Sequence, residues 1–228
     1  MPEHPYNIPI KEMVQRYEQI YTAAINDIFQ ARNLHHQWLG PEIKCLTKDL
    51  SRDVVAGFAF TVQWIHDPLP DEREKPAAKM VESYPDASIV VVDAGADQLS
   101  GFWGELATTV CMRNGVRGAV INGGAKDTGF VKTMGFPLFA RFSSPVDGFY
   151  RSRLRAWQIP IWFNGVLVRP GDFIVGDSDG VLVIPQEIAE EVLVEIEKRV
   201  AEESETRTLL KQGVSAVEAS RRTGRTDL

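Results

Sequence analysis

Two glycine-rich segments hold the residues whose types and spacing could do chemistry. In Gly101-Phe-Trp-Gly-Glu-Leu-Ala-Thr108 a carboxylate, Glu105, stands where a helical pattern begins, beside backbone N–H groups that have no intrahelical partner and can receive an anion. In Asn122-Gly-Gly-Ala-Lys-Asp127 a cation and a carboxylate sit side by side on a turn that glycine lets bend tightly. Carboxylates without histidine or cysteine beside them suit a hard cation such as Mg²⁺. Each feature also has a plainer reading. A glutamate at a helix start commonly serves the helix dipole, and a Lys-Asp pair on a turn is commonly a surface feature. Neither segment has the glycine spacing of a dinucleotide fingerprint, and no Walker-type lysine follows four spacers.

The surrounding pattern says what must position these loops. Ile89–Val92 is a continuous β-branched run, as in a strand buried on both faces, and it precedes the first loop. Leu99–Arg113 is a glycine-rich approach to a helix that Gly115 stops. Val116–Ile121 is a second buried strand running into the second loop; Thr128–Met134 is helical, and Phe136–Phe142 is a third strand. Strand, helix, strand, helix, strand makes an α/β core, in which loops leaving neighbouring parallel strands converge on one crevice. Before this core, Val54–Trp64 reads as a strand, Asp71–Lys75 as a charged loop, and Lys11–Ala31 as one amphipathic helix. After it, short β segments at Ile159–Val168, Phe173–Val175 and Val181–Ile184 alternate with turn residues, which predicts antiparallel hairpins. Gln186–Gln212 is a long helix, and Arg221, Arg222 and Arg225 form a basic tail that is solvated or at an interface. The expectation is a single α/β domain over residues 1–228, with a central mixed sheet. It divides into a helical segment (1–50), an α/β core (51–185) and a C-terminal helix with tail (186–228).

Composition sets the outer limits. With 228 residues, 44% hydrophobic, the chain can bury a full core without disulfides or a structural metal. Its net charge of -6 argues against a nucleic-acid partner. Cys45 and Cys111 have no C-x-x-C spacing, and His4, His35, His36 and His66 all lie in the first third, so reduced, buried thiols are expected rather than a catalytic cysteine. The apolar runs are too short to span a bilayer and Met1-Pro-Glu-His-Pro5 has no signal-peptide character, so no membrane and a cytoplasmic location are expected.

Four segments taken together resemble a known family. They are the Gly101-x-x-Gly-Glu-Leu-Ala run, Gly118-Ala-Val-Ile-Asn-Gly-Gly-Ala-Lys-Asp127, Gly135-Phe-Pro-Leu-Phe-Ala140 and Val168-Arg-Pro-Gly-Asp-Phe-Ile-Val-Gly-Asp-Ser-Asp-Gly-Val-Leu-Val-Ile-Pro185. The chain from about Val54 to Gly213 is similar to the class II pyruvate aldolases acting on 4-hydroxy-4-methyl-2-oxoglutarate and 4-carboxy-4-hydroxy-2-oxoadipate. That family also includes the regulator of ribonuclease E activity A, and many members have carried a methyltransferase label. The resemblance implies an RraA-like αβ fold, a homotrimer or hexamer with sites between subunits, and Mg²⁺ or Mn²⁺ held mainly by water and one aspartate. Asp127 matches that aspartate. Glu105 matches the acid that positions and deprotonates metal-bound water, and Gly104, Leu106 and Ala107 match the loop whose amides hold the pyruvyl carboxylate. Glu203, with Glu202 close behind, is the best match for a glutamate contributed through water by a neighbouring subunit.

One position departs from the pattern. The family's substrate-binding arginine is Lys126 here, a compact charge without the bidentate fork. Arg141, Arg151, Arg153 and Arg155 are candidates for a replacement clamp, with solvated charge as their plainer reading. Phe102 and Trp103 either wall the pocket or belong to the core or an interface. The expected activity is metal-dependent retro-aldol cleavage of a small 4-hydroxy-2-keto acid to pyruvate, with Glu105, Lys126 and Asp127 catalytic and oxaloacetate decarboxylation as a side reaction. The competing readings are a non-catalytic trimer that docks on a partner such as a ribonuclease, and an enzyme for another keto or sugar acid. A methyltransferase is not expected, because no glycine-rich S-adenosylmethionine loop is found.

Overall fold

A computed structural model describes residues 6–67, 76–95, 97–148 and 151–224. The 71–75 loop, His4 and Arg225 therefore lie outside the described residues. In chain order the elements are α1 (Ile10–Tyr17), α2 (Thr22–Ala31), β1 (Lys44–Cys45), β2 (Val55–His66), α3 (Pro76–Glu82), β3 (Ser88–Asp93), α4 (Glu105–Asn114), β4 (Gly118–Ala125), α5 (Thr128–Met134), β5 (Leu138–Ser143), β6 (Ser152–Trp157), β7 (Ile161–Phe163), β8 (Val166–Val168), β9 (Phe173–Gly176), β10 (Val181–Ile184), α6 (Ala189–Lys211) and α7 (Ala216–Thr223).

The main sheet is mixed and runs β1-β5-β4-β3-β2-β9-β10, with β6 pairing the far end of β2. Strands β2 to β5 form its parallel centre, and β9, β10, β6 and β1 join antiparallel. β3 is buried at every position because both of its faces are covered. Ile89 and Val91 join a core with Phe163, Val166 and Val168 of the β7–β8 hairpin. Val90 and Val92 face the helical side, with Met80 of α3, Cys111 of α4 and Val131 of α5. This alternation is the period-2 geometry of a strand, here with an apolar partner on each side. A third core joins α1, α2 and α6 to the β9–β10 hairpin through Tyr17, Phe29, Phe173 and Ile196.

The observed α/β architecture, its hairpins in the last third and its long C-terminal helix agree with the sequence expectation, and several boundaries are corrected. Residues 11–31 form two helices, not one; the chain turns at Glu18–Tyr21, and the hydroxyl and amide of Thr22 at the next helix start donate to Asp177 at 2.8 and 2.7 Å. Strand β6, helix α3 and helix α7 have no counterpart in the sequence reading. Arg221 and Arg222 stand on α7, where both pair with Glu218. Among the described residues no helix is long and apolar enough to cross a membrane.

Candidate active site

The C-terminal ends of β3 and β4 carry both loops singled out by residue type. Backbone hydrogen bonds hold the first loop against the second: Phe102 N–H donates to the Gly124 carbonyl at 2.9 Å and Lys126 N–H to the Trp103 carbonyl at 2.8 Å. On its other side Gly101 N–H donates to the Val146 carbonyl at 2.7 Å, so the strip around Gly101 is stitched between the end of β4 and the 146–148 turn. Only glycine fits there, since a Cβ on Gly101 would lie 2.9 Å from the Lys126 amide nitrogen.

Helix α4 starts where this strip ends. Its first intrahelical bond runs from Thr108 N–H to the Gly104 carbonyl at 3.1 Å, so the amides of Glu105, Leu106 and Ala107 precede the ladder. The Glu105 amide meets Asp127 Oδ2 at 3.4 Å. Trp103 anchors the turn from below: its buried indole Nε1 donates to Thr108 Oγ1 at 3.0 Å, and its ring stacks between Tyr84 and Phe136. Trp103 is thus a core residue, whereas the half-buried Phe102 forms a pocket wall against Trp64, with ring centroids 5.9 Å apart.

The resulting pocket has a volume of about 330 Å³. Lys126, Asp127 and Asp147 supply its charged groups, and Trp64, Phe102, Leu106 and Ala107 much of its apolar wall. Lys126 Nζ donates to Asp147 Oδ2 at 2.6 Å. That hydrogen bond holds the ammonium above the ordinary lysine range; burial opposes it, and the charges of Asp147 and Asp127 add to it. Asp127 itself is exposed, at the N-cap of α5 with φ +55°.

The structure therefore brings together Gly104, Leu106, Ala107, Lys126 and Asp127. Glu105 stands at the rim, and its carboxylate accepts the Thr109 hydroxyl at 3.0 Å along the helix surface. Glu203 is elsewhere: it is buried on α6, accepts the Tyr21 hydroxyl and does not line this pocket of its own chain. Glu202, its neighbour on α6, is half-buried.

None of the four candidate arginines lines this pocket, and Arg151 is exposed with its charge acting on Asp97. Arg141 Nε donates to Asn122 Oδ1 at 2.7 Å and its other nitrogens reach Glu42 and Asn164; Arg153 pairs with Asp67, and Arg155 donates to Gln63. Gln63 and Asn122 both donate to Asp93, at 3.1 and 3.4 Å, which completes a polar row from β6 to β5 across the strand ends. Beside that row lies a separate polar pocket of about 470 Å³ lined by Asp97, Asn122, Arg141 and Asn164.

Sequence reasoning missed Asp147. It comes from a turn outside both glycine-rich loops, and its only local signal is Pro145-Val-Asp-Gly148, a turn sequence that names no partner. The donor set at the loops is one exposed aspartate, a glutamate at the rim and no sulfur or imidazole. Among the described residues no three His, Cys, Asp or Glu side chains gather as a closed metal centre. These residues fit a hard cation that keeps water for most of its ligands, as Mg²⁺ does.

Comparison with known proteins adds an independent line. A protein of Halalkalibacterium halodurans named "Putative 4-hydroxy-4-methyl-2-oxoglutarate aldolase" is 31% identical over 140 residues, 61% of this chain and 66% of that protein. The chain thus spans less than two thirds of that relative's length, and only 29% of the longer DlpA protein of Legionella pneumophila. A crystal structure described as one of novel cellulases from microbes associated with the gut ecosystem superposes with a TM-score of 0.82 at 32% identity, over 90% of both chains. That of Streptomyces coelicolor RraAS2, described as an unusual member of the RNase ES inhibitor RraA protein family, superposes at 0.78 with 23% identity over 88% of this chain and 99% of that one, a likeness of fold. The RraA-like family model, described as Aldolase/RraA, matches residues 22–183, which include both loops and their supporting strands; the chain belongs to this family.

Proposed function

We propose that the chain is a divalent-cation-dependent lyase that cleaves a small 4-hydroxy-2-keto acid to pyruvate by retro-aldol reaction. The observation that carries this reading is the convergence of Lys126, Asp127 and the first-turn amides of α4 on one pocket at the strand ends. The aldolase name of a relative supports it.

Asp127, with Glu105 beside it, would hold Mg²⁺ or Mn²⁺, and the cation when bound supplies Lewis-acid stabilisation of an enolate. The rest falls to the protein's own groups. The amides of Leu106 and Ala107, at the positive end of α4, receive the substrate carboxylate. Lys126 places its charge beside the keto oxygen, where negative charge builds as the C3–C4 bond breaks and its electrons move into the enolate. Glu105 takes the proton of the 4-hydroxyl, through water, so that C4 leaves as a carbonyl; the proton then returns to C3 and gives pyruvate. Oxaloacetate decarboxylation passes through the same enolate and is the proposed side activity, slower than cleavage of a monocarboxylate because oxaloacetate brings a second carboxylate to the pocket. The family resemblance makes a homotrimer or hexamer the proposed assembly, with Glu203 or Glu202 facing a neighbouring subunit's site through water.

A second reading is a binding protein that keeps the fold without the chemistry and docks on a partner such as a ribonuclease. One observation favours it: Lys126 and Glu105 are both engaged within the chain, by Asp147 and Thr109. Pyruvate release from a panel of 4-hydroxy-2-keto acids and oxaloacetate, with Mg²⁺ and with chelator, separates the two. The lyase reading expects cation-dependent release from at least one of them; release from none favours the binding protein.

A further inference from the structure

The Lys126–Asp147 pair does more than orient a lysine; it fixes the charge that the pocket can accept. Among the described residues Lys126 is the one cation lining this pocket, and its ammonium is already paired. Asp147 and Asp127 line the same space and Glu105 stands at its rim, so carboxylates outnumber the single ammonium. With a hard dication at Asp127 the lining groups Asp127, Asp147 and Lys126 sum to one positive charge, enough for one substrate carboxylate, which the α4 amides also serve, and Glu105 at the rim leaves nothing over for a second. A second carboxylate would have to take Lys126 from Asp147 or lie against it unpaired, and like charges in a shared site are disfavoured. Of the candidate arginines, Arg141, Arg153 and Arg155 are tied to Asn122, Glu42, Asp67 and Gln63, and Arg151 is exposed outside the pocket lining with its charge acting on Asp97. What the pocket offers instead is apolar surface, from Trp64, Phe102, Leu106 and Ala107.

The pair is also held from both sides. Gly101 N–H bonds to the Val146 carbonyl and Phe102 N–H to the Gly124 carbonyl, so the segments carrying Asp147 and Lys126 are fixed to one strip of backbone. Asp147 is thereby a repulsive element built into the wall, of the kind that sets specificity by exclusion.

We infer that Asp147 is a specificity-determining residue: the site takes 2-keto acids with a single carboxylate and an apolar substituent toward C4, and discriminates against those with a second carboxylate there. This deepens the lyase reading and rests on it for the reacting substrate, but the charge preference can be measured without turnover. The matched probes are 2-oxopentanoate and 2-oxoglutarate, which share a five-carbon chain, differ in the terminal carboxylate and lack the 4-hydroxyl. Binding is measured by calorimetry on the full chain with Mg²⁺, for the natural protein, Asp147→Asn and Asp147→Ser.

The natural protein is expected to bind 2-oxopentanoate at least tenfold more tightly than 2-oxoglutarate, and each variant to shrink that ratio at least tenfold by gaining affinity for the dianion. If one variant fails to fold, the other and the natural protein's own ratio still decide. Equal or tighter binding of 2-oxoglutarate to the natural protein, binding of neither probe, or a ratio that the substitutions leave unchanged overturns the inference. The lyase reading fails separately: a preference for 2-oxopentanoate with no pyruvate from any hydroxy-keto acid keeps the selective pocket and removes the lyase. Pyruvate from dicarboxylates as fast as from monocarboxylates does the reverse.

Discussion

Lys126 Nζ and Asp147 Oδ2 lie 2.6 Å apart across the strip of backbone around Gly101, in the wall of the pocket where Asp127 also stands. Among the described residues the pair makes the pocket's single lining cation part of a neutral unit, so in the proposed reaction Lys126 shares the stabilisation of the keto oxygen with the cation that Asp127 would hold. Its consequences reach pH behaviour as well as selectivity.

Asp147 holds the Lys126 proton above the ordinary lysine range, chiefly through their hydrogen bond. A raised folded-state value means that the pair's stabilisation is fully present below the unfolded lysine's pKa and is lost as pH rises through the folded one. The stability gap between the natural protein and Asp147→Asn should therefore be flat through neutral pH and close in the alkaline range. Urea unfolding as a function of pH measures it; a gap that widens with alkalinity contradicts the pairing.

A Cβ at Gly104 would fall 2.6 Å from Asp127 Oδ2, while the backbone there is extended and strain-free for any residue, with φ −162°. Asp127 is exposed and can swing aside. Gly104 is buried and Lys126 Cγ, 3.1 Å from the same Cβ, must also shift by a few tenths of an ångström, so Gly104→Ala should cost about 1 kcal/mol of stability. It should nevertheless lower Mn²⁺ affinity and pyruvate release at least tenfold, because the displaced carboxylate is the proposed cation ligand. Calorimetric Mn²⁺ titration beside a thermal melt distinguishes this from unfolding.

Thr108→Val removes the acceptor of the buried Trp103 indole N–H, whose ring stacks on Tyr84 and Phe136. An unsatisfied buried donor costs about 1–3 kcal/mol, and each kcal/mol lowers Tm by roughly 2–4 °C in a domain of this size. Thr108→Ser keeps the hydroxyl and should recover most of the loss.

Burial alone pushes the Cys111 thiol up to about 12, while Cys45 is half-buried. In the native protein at pH 8, Ellman's reagent should leave Cys111 unmodified, and denaturation should release it. Fast labelling of both thiols in the native state would contradict the described core.

Much of the parallel core was legible because β-branched runs such as Ile89–Val92 and helix stops such as Gly115 are local signals. The loops were legible for the same reason: residue type and glycine spacing lie next to each other in the chain. What escaped depends on contacts across the fold. The break at Glu18–Tyr21 carries no glycine or proline, and apolar periodicity runs through it; Asp177, far along the chain, receives the start of α2. Strand β6 alternates Arg153, Leu154, Arg155 and Ala156, a pattern that a search for arginine clamps mistakes for a charge cluster; pairing with β2 makes it a strand. Asp147 gains meaning only when the 146–148 turn is stitched beside Lys126.

The most direct test compares Mg²⁺-dependent pyruvate release by the natural protein and by Asp127→Ala, at equal fold content, on the best 4-hydroxy-2-keto acid of the panel. The lyase reading predicts release that chelator abolishes and that Asp127→Ala lowers at least a hundredfold, even at saturating Mg²⁺. Release that persists in the variant or under chelator would contradict it.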